Sequence, residues 1–248
     1  LYSGITEWCG FKPNEDEYKV MALAGYGEPK YADFIEQDII QFNETTLDIS
    51  INPNYFNFED SGKETIKEFF IQKFGTLENN KSILEQQKIL DCICSFQYTI
   101  ENIVISLINK LLLEYKETSQ VFLSGGLFHN SKLVGEITRK INTKILVSPS
   151  PGDSGSSIGA GYFAMLCLDK KYTNKKNDNP FLGPKIPSIQ AYSHLFSQLK
   201  VEDTYIKILE ILANDEIFAV FSGYSEIGPR ALLSRSLCCN AKSKTALE

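Results

Sequence analysis

The longest regular pattern in the chain runs from about residue 82 to 117, where Phe96, Ile100, Ile103, Val104, Leu107, Ile108, Leu111 and Leu112 recur at steps of three and four. That spacing lays one apolar stripe along an α-helix and predicts a long helix central to the core. Upstream, residues 14–26 open with Glu15, Asp16 and Glu17, and run to Gly25-Tyr26-Gly27 with Pro29 just beyond. Carboxylates at the start suit the positive end of a helix dipole, and the glycines and proline stop the helix. The three carboxylates read as a solvated helix start. Residues 31–80 have a different texture, with short apolar patches such as Leu47 to Ile51 between polar turns such as Asn52-Pro53-Asn54. They are expected to form an excursion from the main fold rather than a domain.

Strands and helices alternate further on. Gln120 to Leu123 predicts a short strand, 130–141 a helix, Lys144 to Val147 a second strand and 154–169 a second helix, with turns of Ser, Pro and Gly between them. Strand–helix–strand–helix with tight turns is the signature of a mainly parallel sheet covered by helices. Residues 170–192 are polar, contain proline and carry a local run of lysine, which is the character of a connection. Beyond it lie a helix at about 200–213 with Ile206, Leu209 and Ala213 on one face, a strand from Ile217 to Phe221 and a turn-rich segment from Gly223 through Ser236.

Composition narrows the function classes. With 248 residues, 43% hydrophobic and 23% charged, the chain is globular in character and long enough for one large domain or one and a half. A net charge of −6 argues against a nucleic-acid or anionic-membrane surface spread over the whole molecule, yet leaves room for a small basic pocket for phosphate. No apolar run approaches the ~18 residues of a membrane-spanning helix, and no basic-then-apolar leader is present. The cysteines, Cys9, Cys92, Cys94, Cys167, Cys238 and Cys239, form no paired zinc clusters, so reduced thiols and a cytoplasmic location are expected. His129 and His194 are the only histidines, which leaves no HExxH or histidine-triad site within the chain. The chain opens on Leu1 within a segment that reads as ordered structure, and a piece of a longer protein is expected.

Three motifs could carry chemistry. The first is Leu123-Ser124-Gly125-Gly126 with Asn130 beyond it. Two glycines after a strand let backbone approach a ligand closely, and a helix N-terminus just past them offers N–H groups to phosphate. Asn130 would either add its amide to a ribose or phosphate oxygen or cap the helix. His129 is expected at the surface. The second is Ser148-Pro149-Ser150-Pro151-Gly152-Asp153-Ser154-Gly155, where Asp153 occupies a strand–helix junction at the ligand-binding edge of a parallel sheet. A carboxylate there suits a metal ion bound to phosphate, although a plain helix cap would look the same. The third is Glu226-Ile227-Gly228-Pro229-Arg230-Ala231-Leu232 with Arg235 and Ser236. Arg230 and Arg235 would make an anion clamp; the plainer reading pairs Arg230 with Glu226 at a surface turn. No GxxxxGK[ST] or GxSxG motif occurs.

In this order and spacing the motifs, together with Leu23-Ala24-Gly25-Tyr26-Gly27 and Asn179-Pro180-Phe181-Leu182-Gly183-Pro184, resemble the O-carbamoyltransferases of the nodulation protein U type, a family that includes cephalosporin and aminoglycoside carbamoyltransferases. The resemblance spans essentially the whole chain. It implies an α/β fold with the second half of an actin-like ATPase domain at 1–172, related to threonylcarbamoyl-adenosine synthases, a connection at 173–192, and the beginning of a YrdC-like α/β domain at 193–248. It further implies that carbamoyl phosphate and ATP give carbamoyl-adenylate, whose carbamoyl group passes to a hydroxyl of a small-molecule or glycan acceptor. On that resemblance Asp153 would bind a divalent metal at an iron-type site, magnesium accompanying ATP. Gly125, Gly126, Asn130, Ser154 and Gly155 would line the nucleotide site, and Arg230 and Arg235 would handle phosphate. The net charge and the lack of a long apolar run leave no nucleic-acid or membrane partner expected, and homodimers occur among relatives. The family's histidine metal ligands and most of its YrdC-like domain are expected outside these 248 residues, so the chain alone is expected to be inactive. Where the family reads Ala-Leu-Gly-Asn-Arg-Ser, this chain has Leu233 in place of the glycine and Ser234 in place of the asparagine. An actin-like small-molecule kinase and a nucleotide-binding homologue without turnover are the competing readings.

Overall fold

A computed structural model describes residues 1–58, 65–168, 180–185, 194–195, 197, 200–240 and 242–243. The chain divides into two units, Leu1–Val147 and Ser148–Glu248. The first unit opens with α1 (Tyr2–Trp8) and α2 (Glu17–Leu23), the latter continued by a 3-10 turn at Ala24–Tyr26. Then come α3 (Ala32–Phe34) with a π turn at Ile35–Ile39, the strands β1 (Ile40–Phe42) and β2 (Ile49–Ile51), and α4 (Glu68–Phe74). The predicted long helix is α5 (Gln87–Glu114), succeeded by β3 (Gln120–Leu123), α6 (Ser131–Lys140) and β4 (Lys144–Val147).

Helix α5 organises this unit because its stripe is long enough to serve two cores. Along its first half Ile89, Leu90, Cys92, Ile93 and Phe96, with Ile103 just past the middle, pack with Ile5, Trp8, Val20, Leu23, Ile35, Ile39, Tyr55, Phe56, Phe70 and Phe74. Along its second half Val104, Ile105 and Ile108 pack with Leu123 of β3 and with Leu133, Ile137 and Ile141. A capping box just upstream sets where the helical chain begins: Ser82 accepts from the Leu84 N–H and Glu85 accepts from the Ser82 N–H. Strand β3 pairs with β4 in parallel, from Gln120 opposite Lys144 to Leu123 opposite Val147, with α6 as the crossover, as the alternating pattern predicts.

Within residues 31–80, Ile35, Ile39, Phe70 and Phe74 are fully buried, and β1 pairs antiparallel with β2, Ile40 opposite Ile51 and Phe42 opposite Ile49. The segment supplies much of the first core. Its aromatic residues are spaced too irregularly for a periodic signal, and they meet only because α4 folds back on α5.

In the second unit, α7 (Ser156–Cys167) and α8 (Val201–Ala213) precede β5 (Phe218–Phe221), which pairs antiparallel with β6 (Arg235–Cys238). Strand β6 begins inside the segment read as a turn. Of the connection expected at 173–192, only 180–185 is described, Asn179 lying outside the described residues. There the Gly183 N–H donates to the Ser225 carbonyl at 2.9 Å and the Ser225 N–H to the Pro184 carbonyl at 3.0 Å. All six cysteines carry free thiols, with Cys9, Cys92 and Cys94 buried. Desolvation pushes Cys9 up to about 12 and Cys92 well above the ordinary thiol range, so these two are packing residues rather than nucleophiles. Among the described residues no helix is long and apolar enough to cross a membrane.

Candidate functional site

The glycine turn stands at the C-terminal end of β3. Gly125 has φ +116°, a conformation that side-chain-bearing residues rarely adopt, and Gly126–His129 make one 3-10 turn. A Cβ on either glycine would meet nothing within 4 Å. The turn therefore offers bare, exposed backbone over open space, a geometry into which a phosphate or ribose can approach.

Asn130 behaves differently. It is buried at the head of α6, where its Oδ1 accepts from the Leu133 N–H at 3.0 Å, so the capping role is realised. The rest of its carboxamide faces α5: Nδ2 donates to Gln97 Oε1 at 2.8 Å, and Gln97 Nε2 donates back to Oδ1 at 3.2 Å. Gln97 also accepts from the Tyr2 hydroxyl at 2.8 Å and donates to Glu101 at 2.7 Å, and Glu101 pairs with Lys132 at 3.2 Å. Burial, with the Glu101 charge added, raises the Tyr2 hydroxyl above its ordinary range. His129 is half-buried rather than at the surface.

Sequence reasoning missed Gln97, and it missed Asp91 one face away on the same helix. Asp91 is buried and accepts from the Glu28 N–H at 2.9 Å, Gln87 Nε2 at 2.8 Å and Lys30 Nζ at 2.7 Å. Desolvation pushes its carboxyl up, but these donors outweigh that and hold it below the usual range. A polar residue inside an apolar stripe is the signal that could have flagged both.

In the second unit the structure brings the other two motifs together. The Asp153–Gly155 stretch is a 3-10 turn at the head of α7. A Cβ at Gly155 would lie 2.2 Å from the Ser150 carbonyl oxygen, and one at Gly228, where φ is +91°, would lie 2.4 Å from that of Pro149. The 148–155 and 226–230 turns thus pack backbone to backbone, which only glycine permits. Asp153 and Ser154 are exposed, and the Ser154 hydroxyl bonds that of Ser150. Among the described residues no group of three or more His, Cys, Asp or Glu side chains could hold a metal ion. Asp153 supplies one donor, so these residues do not by themselves fit a metal centre.

Glu226 organises the arginine loop. Its Oε1 accepts from the N–H groups of Leu232 at 3.1 Å, Ser234 at 2.7 Å and Arg235 at 3.1 Å. Desolvation raises its pKa, but the backbone donors prevail and hold it below the usual glutamate range. Arg235 Nη1 donates to the carbonyls of Ser222 at 3.1 Å and Ser234 at 2.7 Å, and its guanidinium lies 5.7 Å from the Phe221 ring centre, so Arg235 braces the loop. Arg230 is half-buried at the start of the same loop.

Leu233 sits at φ +66° on this loop, in the left-handed region that costs a residue with a side chain about 1–2 kcal/mol. Leu233→Gly is therefore expected to raise stability by about 0.5–1 kcal/mol after the glycine's extra chain entropy is set against the relieved strain. Urea unfolding checks this. A loss of stability would show that the 63% exposed leucine side chain contributes more by packing than its backbone costs.

The sequence pattern described as "Carbamoyltransferase N-terminus" matches residues 1–162. Among curated relatives, the uncharacterized protein sll1178 of Synechocystis is 32% identical over 99% of this chain and 42% of its own length. Nodulation protein NolNO of Sinorhizobium fredii is 28% identical over 93% of this chain and 33% of its own. Nodulation protein U of Azorhizobium caulinodans is 28% identical over 62% of this chain and 27% of its own. The chain thus spans less than half the length of these relatives.

Proposed function

The chain belongs to the carbamoyltransferase family, whose N-terminal pattern covers its residues 1–162, and from that premise we propose that the protein moves a carbamoyl group from carbamoyl phosphate, through an ATP-derived carbamoyl-adenylate, to a hydroxyl of a small-molecule or glycan acceptor. The family match is the observation that carries the proposal. The open glycine turn supports its nucleotide half.

In this reading the first part of the chain is actin-like and the segment from about 193 begins a YrdC-like domain. The backbone at Gly125 and Gly126 receives the nucleotide, with Asn130 fixing that turn. Ser154 and Gly155 stand at the head of α7. Arg230 neutralises phosphate charge as pyrophosphate leaves, and Arg235 braces the loop that presents it. Charge stabilisation of this kind acts on the leaving group and needs donors already in place, which the Glu226 and Arg235 hydrogen bonds to the loop backbone provide.

The test uses full-length protein with ATP and carbamoyl phosphate and no acceptor, assayed for pyrophosphate. Release that requires carbamoyl phosphate, and that falls at least about a hundredfold in Arg230→Ala, is the expected result. Formation of ADP instead would make the protein a kinase. Retained ATP binding with no turnover would make it a nucleotide-binding homologue.

A further inference from the structure

Resting on the nucleotide reading of the Gly125–Gly126 turn, we propose that Asn130 and Gln97 are a positioning pair: Asn130 serves the site by locking the turn to helix α5 through Gln97, without touching the nucleotide.

The geometry of the two carboxamides carries this. Asn130 is 9% exposed and Gln97 is 1% exposed. Both polar atoms of Asn130 are engaged inside the protein, Oδ1 by the Leu133 N–H and by Gln97 Nε2, and Nδ2 by Gln97 Oε1. Gln97 is used to capacity. Its oxygen takes Tyr2 and Asn130, and its nitrogen serves Glu101 and Asn130. Three elements therefore meet at Gln97: α1 through Tyr2, its own helix α5 through Glu101, and the head of α6 through Asn130. A buried network whose members are all satisfied is rigid and holds its parts in one arrangement.

The turn needs such an anchor. Two glycines in succession, one at φ +116°, have little stiffness of their own. Their placement is set by the 3-10 turn at Gly126–His129, which leads directly into Asn130. Backbone N–H groups bind phosphate only when they are held pointing at it, so an anchor at this position bears directly on nucleotide affinity.

The test compares Asn130→Ser, Gln97→Leu and the double variant in full-length protein. Serine caps a helix about as well as asparagine but is too short to reach Gln97, while leucine keeps the volume of Gln97 and removes its hydrogen bonds. Two readouts are taken: amide hydrogen exchange over residues 125–133 in the absence of nucleotide, and the dissociation constant for Mg-ATP. Each single variant should speed exchange over 125–133 while the amides of Phe70 and Phe74 stay protected. Each should weaken ATP about tenfold, the scale of one lost hydrogen bond. The double variant should be no worse than the worse single one, because both remove the same tether.

Loss of ATP affinity in Asn130→Ser with unchanged loop exchange would mean direct contact with the nucleotide and would overturn the inference. So would independent, multiplying effects in the double variant, or faster exchange spread through the Phe70 and Phe74 core. Should Gln97→Leu not fold, the nucleotide-free exchange of Asn130→Ser decides alone. A wild-type protein that binds no ATP overturns the nucleotide reading itself, whereas a wild type that binds, beside a Gln97→Leu that binds equally well, overturns this inference only.

Discussion

Gly27→Ala should lose about 3–5 kcal/mol of stability, combining overpacking with damage to a charged hydrogen-bond site. A Cβ at Gly27 would lie 2.1 Å from the Leu90 carbonyl oxygen, 2.4 Å from its carbon and 2.7 Å from the Asp91 nitrogen. All three are backbone atoms of α5, a 28-residue helix that cannot yield locally. The segment at 24–30 must therefore move off the helix. In moving it strips Asp91 of the Glu28 N–H and of Lys30, leaving a buried carboxylate short of donors. The backbone angles of Gly27, φ −108° and ψ 175°, suit any residue, so the effect is steric and not conformational. Gly25→Ala is the control, since a Cβ there meets nothing within 4 Å, and it should change stability by no more than about 0.5 kcal/mol. Urea unfolding of the pair measures both. Equal stability in the two variants would mean that the 24–30 segment is not docked on α5 as described.

Phe70→Ala should cost about 3–5 kcal/mol by the same measurement, the range for removing a buried aromatic side chain and leaving its cavity. Phe70 is completely buried, with ring centres of Phe74 at 4.7 Å, Trp8 at 5.1 Å, Phe56 at 5.6 Å and Phe96 at 5.8 Å. These neighbours come from α1, α4, α5 and the chain at Phe56, so the cavity cannot be closed by shifting one element. Its neighbour Phe69 is 57% exposed and edge-on to Tyr55 at 5.5 Å. Phe69→Ala should cost about 1 kcal/mol, the value of one aromatic pair. If both variants unfold at the same urea concentration, α4 does not bury Phe70 in the core.

These two positions show where sequence reading stopped. The apolar repeat of α5 and the alternation from Gln120 to Val147 were legible because helix and strand periods are properties of consecutive residues. The two glycines at 125–126 were legible as a turn for the same local reason. Phe56, Phe70 and Phe74 obey no shared period, and what joins them is the path of the chain in space. Gln97 hides for a related reason: beside Phe96 it reads as one polar residue on a helix, and its role depends on Asn130, 33 residues later. Leu233 illustrates a mixed case. Comparison with the resembling motif locates a missing glycine, but only the backbone angle of +66° shows that the loop keeps the glycine conformation without the glycine.

By itself, then, the sequence determined the elements that local period and turn chemistry dictate: the long helix, the parallel pair joined by α6 and the glycine-rich turns, along with the family to which their order points. Tertiary structure decided which of those residues meet. It placed Gly27 against Leu90, set Gly228 against Pro149, turned Asn130 inward to Gln97 and packed Ile35, Ile39, Phe70 and Phe74 with the residues of α5. The physical reason is range. Propensity and periodicity act over a few neighbouring residues, whereas steric fit and the pairing of buried polar atoms join residues far apart in the chain and exist only once it has closed on itself.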